Sequence, residues 1–150
     1  VQIPACFQGA KPYPKARSML TTQSAKLAQP YASHGKPVTE DVSVVSWTVA
    51  SQEAALQDAH FDEFMLRGTL PETGGALWFK VLQTCESGRN DWSEVPAAGA
   101  SPKGLKFPAA LLQVTQPETA ADTDSAPAHA ADAHLVDAAQ CPAIDCARAG

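Results

Sequence analysis

DVSVVSWTV, residues 41–49, decides the fold. Its β-branched side chains lose rotamer freedom in a helix and pack well on a pleated sheet, so the stretch is read as a strand. Val42 and Val44 set one phase of alternation and Val45 and Trp47 the other. The change at Val44/Val45 predicts a β-bulge there.

Working outward, the period of two recurs. Residues 61–70 (FDEFMLRGTL) place Phe64, Leu66 and Leu70 on one face against Glu63, Met65 and Arg67 on the other, the pattern of a half-buried antiparallel strand. Residues 76–84 (ALWFKVLQT) alternate Leu77, Phe79 and Val81 with Trp78, Lys80 and Leu82. The intervening turn PETGG predicts that these two segments pair as a hairpin at the centre of the core. Residues 51–60 read as a helical turn or a long loop, residues 87–90 as a turn, residues 92–95 as a short strand and residues 109–114 as the last strand. Pro12, Pro14, Pro30 and Pro37 predict that the first forty residues are irregular or lie at a sheet edge. The expected fold is all-β, with four to six strands in one antiparallel sandwich-like unit.

Composition sets this body, residues 1–114, apart from the rest of the chain. The chain has 150 residues and a formal charge of −5, yet residues 1–114 hold ten basic and ten acidic side chains. Residues 115–150 hold six acids against Arg148 alone, together with twelve alanines. Leu135, Val136 and Ile144 are the only sizeable aliphatics there, too few to offset the entropy of ordering the segment. It is expected to be a disordered, Ala- and acid-rich tail, with residues 128–139 as a weakly helical stretch. The neutral body has no basic stripe, which argues against nucleic acid as a partner. No apolar run is long enough to span a membrane.

The chemistry available is sparse. There is no nucleophile elbow, phosphate-cradling glycine loop, dinucleotide fingerprint or His-Glu-x-x-His helix, so no enzymatic activity is expected. Glu40/Asp41 and Asp62/Glu63 are adjacent carboxylates, but neighbours on a strand point to opposite faces, and they are read as solvated charges. His34 and His60 stand alone. Four cysteines allow three pairings if all are oxidised. Cys6 and Cys85 are the disulfide candidates of the body, with two buried thiols as the alternative. In the tail, Cys141 and Cys146 lie near His129 and His134, a set of soft and borderline donors that a loop can gather around a metal. The two histidines are five residues apart, roughly 140° around a helix, so they form no helical clamp. The opening residues Val1-Gln2-Ile3-Pro4 resemble the end of a strand, and the chain is read as beginning in mid-domain.

A succession of short stretches carries a family resemblance. Ile3-Pro4, GAKPYPK (9–15), YASHGKPVTEDVSVVSW (31–47), FDEFMLRGTLP (61–71), LWFKVLQTCESG (77–88) and Trp92 follow in the order and spacing of the YcnI-like family of exported bacterial copper-binding proteins. The resemblance covers about three quarters of the chain. It departs at Ala16-Arg17, where the family has a glycine-tryptophan pair. It implies an immunoglobulin-like β-sandwich in the periplasm or outside the cell that binds copper(II) and passes it to a copper importer or another envelope protein. In that family an amino-terminal histidine chelates the ion through its amine and ring, beside a carboxylate and a tryptophan. Trp92 matches the tryptophan. Val1 cannot supply an imidazole, so the histidine and carboxylate are expected upstream of Val1 and the main site incomplete in this chain. A different class of function, an extracellular adhesion or assembly module without metal chemistry, fits the same sandwich.

Overall fold

The computed structural model describes residues 1–116. They form eight strands, β1 (Gln8–Pro12), β2 (Ser18–Ser33), β3 (Lys36–Val49), β4 (Leu66–Thr69), β5 (Gly75–Phe79), β6 (Val81–Thr84), β7 (Arg89–Trp92) and β8 (Ala110–Val114), with one 3-10 turn at Gln52–Ala54. The chain is an all-β antiparallel sandwich, as its periodicity implies. Strands pair as β1–β4, β2–β3, β5–β8 and β6–β7, every pair antiparallel.

One expectation about pairing is corrected, together with the extents of two strands. Residues 61–70 do not pair with residues 76–84, because β4 takes β1 as its partner and β5 takes β8. The PETGG turn therefore carries the chain from one ladder to another. The strand is also shorter than its alternation suggested: Phe61, Phe64 and Met65 are 84%, 53% and 66% exposed, and only residues 66–69 are strand. Residues 76–84 are likewise two strands, broken at Lys80.

The largest difference lies in the first forty residues. Ser18–Ser33 is a sixteen-residue strand despite Pro30, and β3 begins before Pro37. The prolines fit because β2 is paired on one side only, and because its register with β3 breaks between Lys26 and Tyr31, where Pro30 need not donate to the ladder. The predicted bulge exists one step earlier than expected. Gln23 faces Val44 while Ser24 faces Val42, so Ser43 is the extra residue.

Val1–Ile3 lies along the other edge of β3. The Val45 N–H donates to the Val1 carbonyl at 2.9 Å, the Ile3 N–H to the Ser43 carbonyl at 2.8 Å, and the Gln2 N–H to the Lys80 carbonyl at 2.8 Å. The amino-terminal residues thus link the β2–β3 ladder to the junction of β5 and β6.

The core sits where the inner faces of β1–β4 and β5–β8 meet. Phe7, Ala10, Leu77 and Val114 are buried, with Ile3, Cys6, Val42, Leu66 and Phe79 packed against them. Leu77 is 1% exposed, and burial of such a side chain contributes about 1.5–3 kcal/mol. The Phe7 and Phe79 rings meet edge to face at 5.4 Å and 78°. Gly68 makes this possible, because a Cβ at that position would overlap the Phe7 ring.

Candidate functional site

Trp92, the tryptophan singled out from sequence, is half-buried at the end of β7. Its ring meets Phe107 edge to face at 5.3 Å and 88°. Directly across the ladder lies Val81, so Trp92 and Val81 share a face. Val81 in turn lines an apolar groove of about 400 Å³ with Val1, Trp47, Phe64, Leu66 and Phe79. The segment that begins at Val1 therefore lies beside β6, the ladder partner of the strand that presents Trp92.

The groove has a polar margin. Trp47 packs on Phe64 at 5.1 Å between ring centroids and donates its indole N–H to the Tyr13 carbonyl at 3.0 Å. The ammonium of Lys15 lies 4.4 Å from the centre of the Phe64 ring, donates to the Glu63 carbonyl at 2.6 Å and forms an ion pair with Asp62. The hydrogen bond from Lys15 holds the Asp62 carboxyl below its ordinary range. This array ties the loop of residues 61–65 to Lys15 and, through Phe64, to Trp47 of β3 at the wall of the groove.

A second polar centre lies at Asp41, whose carboxylate accepts three hydrogen bonds. They come from the Gly9 N–H at 2.7 Å, the Tyr31 hydroxyl at 2.8 Å and its own neighbour Val42 N–H at 2.7 Å. One side chain so ties β1, β2 and β3 together. Gly9 has φ +62°, a left-handed conformation that glycine adopts without strain and that aims its N–H at the carboxylate. Partial burial and the adjacent carboxylate raise the Tyr31 phenol above its ordinary value. The reading of these carboxylates as solvated charges is thus corrected for Asp41, which is half-buried and bonded, whereas Asp62 is exposed and paired with Lys15 at the surface.

The remaining sequence-predicted residues are dispersed. Cys6 packs half-buried against the core, whereas Cys85 is an exposed free thiol after β6, so the structure does not join the two. Of the two disulfide candidates Cys6 is disulfide-bonded, but not to Cys85, which stands where β6 turns back into β7, its N–H bonding the Gly88 carbonyl at 3.0 Å. His34 occupies the β2–β3 turn with φ +49°, and His60 is exposed in the loop before β4. His129, His134, Cys141 and Cys146 lie outside the described residues, as does the expected tail from residue 117 onward. Among the described residues no group of three or more His, Cys, Asp or Glu side chains is placed to hold a metal ion. No described helix is long and apolar enough to cross a membrane.

Comparison with known proteins gives a family match. The sequence model of a family described as "Domain of unknown function (DUF1775)" matches residues 1–114. No curated protein and no solved structure matches. The chain belongs to the DUF1775 family, which includes the YcnI-like proteins.

Proposed function

From this membership we propose that the protein is a non-enzymatic copper(II)-binding domain of the cell envelope, acting in copper trafficking with the ion as its cargo. The described residues do not fit a copper(II) centre by themselves. Histidine and carboxylate donors are not gathered among them, and an indole N–H donates but cannot ligate through a lone pair. In this reading Trp92 is the aromatic wall of the site and the chelating groups come from outside residues 1–116. His129, His134, Cys141 and Cys146 offer a weak secondary site.

The observation that carries the reading is the placement of the first residues. Val1–Ile3 is held between β3 and Lys80, and Val1 lines the groove beside Val81, the cross-strand neighbour of Trp92. A histidine-led segment joined ahead of Val1 enters the fold at the end where Trp92 stands. Delivery to a copper importer or to another envelope copper protein, in the periplasm or outside the cell, completes the proposal.

Copper(II) titration tests it. The present chain is expected to bind weakly, and to lose that binding when His129, His134, Cys141 and Cys146 are replaced. A form that carries a histidine-led segment ahead of Val1 is expected to bind one ion tightly, with a change in Trp92 fluorescence. Absence of copper binding by the longer form refutes the proposal.

One observation favours an adhesion or assembly module instead: the loop of residues 61–65 presents Phe61, Phe64 and Met65 to solvent. That reading predicts a protein partner from envelope extract and no response to metal.

A further inference from the structure

Strand β2 leaves backbone hydrogen-bonding groups unpaired along its outer edge, and their direction follows from the bonds on the far side of β3. The Val1 ammonium donates to the Val45 carbonyl at 2.7 Å, and the Val45 N–H donates to the Val1 carbonyl at 2.9 Å. Both backbone groups of Val45 therefore face away from β2. In an antiparallel ladder, directly opposed residues either exchange both bonds or exchange neither. Thr22, opposite Val45, thus turns its own N–H and C=O outward, and alternation gives Leu20, opposite Trp47, the same direction. Beyond the bulge, Ser24 stands opposite Val42, whose N–H bonds the Asp41 carboxylate at 2.7 Å, so Ser24 also faces outward. No hydrogen bond among the described residues takes the outward groups of Leu20, Thr22 and Ser24.

This open stretch is bounded on both sides. Towards the start of β2, the Ser18 N–H already donates to the Lys15 carbonyl at 3.3 Å. Towards the hairpin tip stand Lys26 and Pro30, residue types that stop edge-to-edge pairing. Residues 19–25 between these limits carry no charge, and all but Leu20 are exposed.

The free groups are symmetric about Thr22. An antiparallel second copy of the same edge sets Thr22 opposite Thr22 and Leu20 opposite Ser24 in both directions, and two bonds in each of these three pairs make about six. Thr–Thr is a favourable cross-strand pair. Met19, 60% exposed, then gains Ala25 of the second copy as its neighbour. The two Lys26 side chains stand eight residues apart along the joint edge, about 26 Å at about 3.3 Å per residue, and a Debye length of about 10 Å at 0.1 M salt screens their repulsion. This self-match selects a second copy over an unrelated strand.

We propose that the β2 edge from Leu20 to Ser24 is a self-association surface, on which a second copy of this chain pairs antiparallel about a two-fold axis at Thr22. The joined sheet has the order β3–β2–β2–β3. A contact of this length buries less than the about 1,600 Å² of a standard stable interface, so the dimer is weak and concentration-dependent. The pairing requires neither copper nor any residue outside β2.

Sedimentation velocity and amide hydrogen exchange over a concentration series up to about 1 mM test this. The full chain carries Cys85→Ser throughout, because that exposed thiol can itself join two copies. The chain is expected to pass from monomer to dimer. Exchange at the Leu20, Thr22 and Ser24 amides should slow in step, while exchange at Thr21 and Gln23, which face β3, stays unchanged. Thr22→Lys and Thr22→Glu each set like charges face to face on the axis and should each weaken association about tenfold, and an equimolar mixture of the two should recover it. Thr22 is exposed and its amide faces away from β3, so both variants should keep the circular dichroism of the parent. A parent chain that stays monomeric at about 1 mM overturns the proposal. So does association of Thr22→Lys and Thr22→Glu at parental strength, which would place the contact elsewhere, and so does a mixture that associates no better than either variant alone.

Discussion

Replacing Asp41 by alanine removes the acceptor that joins three strands, and the structure allows its cost to be worked out. The bonds from Gly9 and Tyr31 cross between elements, at 2.7 and 2.8 Å, whereas the bond from Val42 is local. Hydrogen bonds to a charged group contribute about 1.5–3 kcal/mol each, and the low end applies because the site is half-buried and water can replace part of each bond. Two such bonds give about 3 kcal/mol. At about 4 °C per kcal/mol for a domain of this size, the midpoint of thermal unfolding should fall by about 12 °C. Asp41→Asn keeps an acceptor without the charge and should lose about half as much, since charge-assisted bonds are roughly twice as strong as neutral ones. Tyr31→Phe should cost about 1 kcal/mol. Urea unfolding followed by tryptophan fluorescence and circular dichroism measures all of these, and the decisive quantity is the double mutant. Because Tyr31 donates to the group that Asp41→Ala deletes, the two changes should fall short of additivity by about 1 kcal/mol. Additivity within about 0.3 kcal/mol would refute the assignment of that bond as a stabilising contact.

Two further perturbations bear on the fold. Gly68→Ala forces a methyl group into the Phe7 ring and should destabilise by about 1–3 kcal/mol, whereas Gly68→Ala combined with Phe7→Leu should recover part of the loss, as read by urea midpoints. The pH dependence comes from two groups of opposite sign. Asp62 has its carboxyl lowered by Lys15, so its contribution is present above the ordinary carboxylate range and is lost as pH falls through the folded value. Lys15→Gln should remove that acid-limb dependence. The Tyr31 phenol is raised, so its contribution is present below its ordinary value near pH 10 and disappears as pH rises beyond it, a slope that Tyr31→Phe should abolish in alkaline melts.

The fold class was legible wherever alternation met a real ladder. Residues 41–49 fall within β3, which starts five residues earlier at Lys36, and residues 76–84 and 109–114 coincide with β5, β6 and β8 to within a residue or two. Pairing partners were not legible, since a turn between two apolar runs suggests a hairpin and says nothing about a distant strand such as β8 or β1 competing for the same edge. Strand β2 was hidden by its polar composition and by Pro30, both acceptable on a strand whose partner lies on one side only. At the site, Trp92 was identifiable by resemblance, but the Asp41–Tyr31–Gly9 centre was not. Tyr31 and Asp41 are ten residues apart on two arms of a hairpin, and β2 has to be recognised before they can be brought together. The Lys15–Phe64–Trp47 array was missed for a similar reason, because it depends on a loop folding back over β3.

Ser43 is a single supernumerary residue, yet it sets the parity of the longest ladder. Paired in regular alternation instead of bulged, it would set Val42 and Val45, three residues apart, on opposite sides of β3, and a choice between the core contact of Val42 and the full enclosure of Val45 would be forced. With the bulge, both point inward, while the Ser43 carbonyl still receives Ile3. Deleting that one serine is therefore a milder injury than pressing it into the ladder: deletion leaves Gln23 opposite Val44 and Ser24 opposite Val42 as consecutive pairs, whereas a regular pairing that kept Ser43 would turn every position from Asp41 back to Lys36 inside out and carry the carboxylate of Asp41 away from β1.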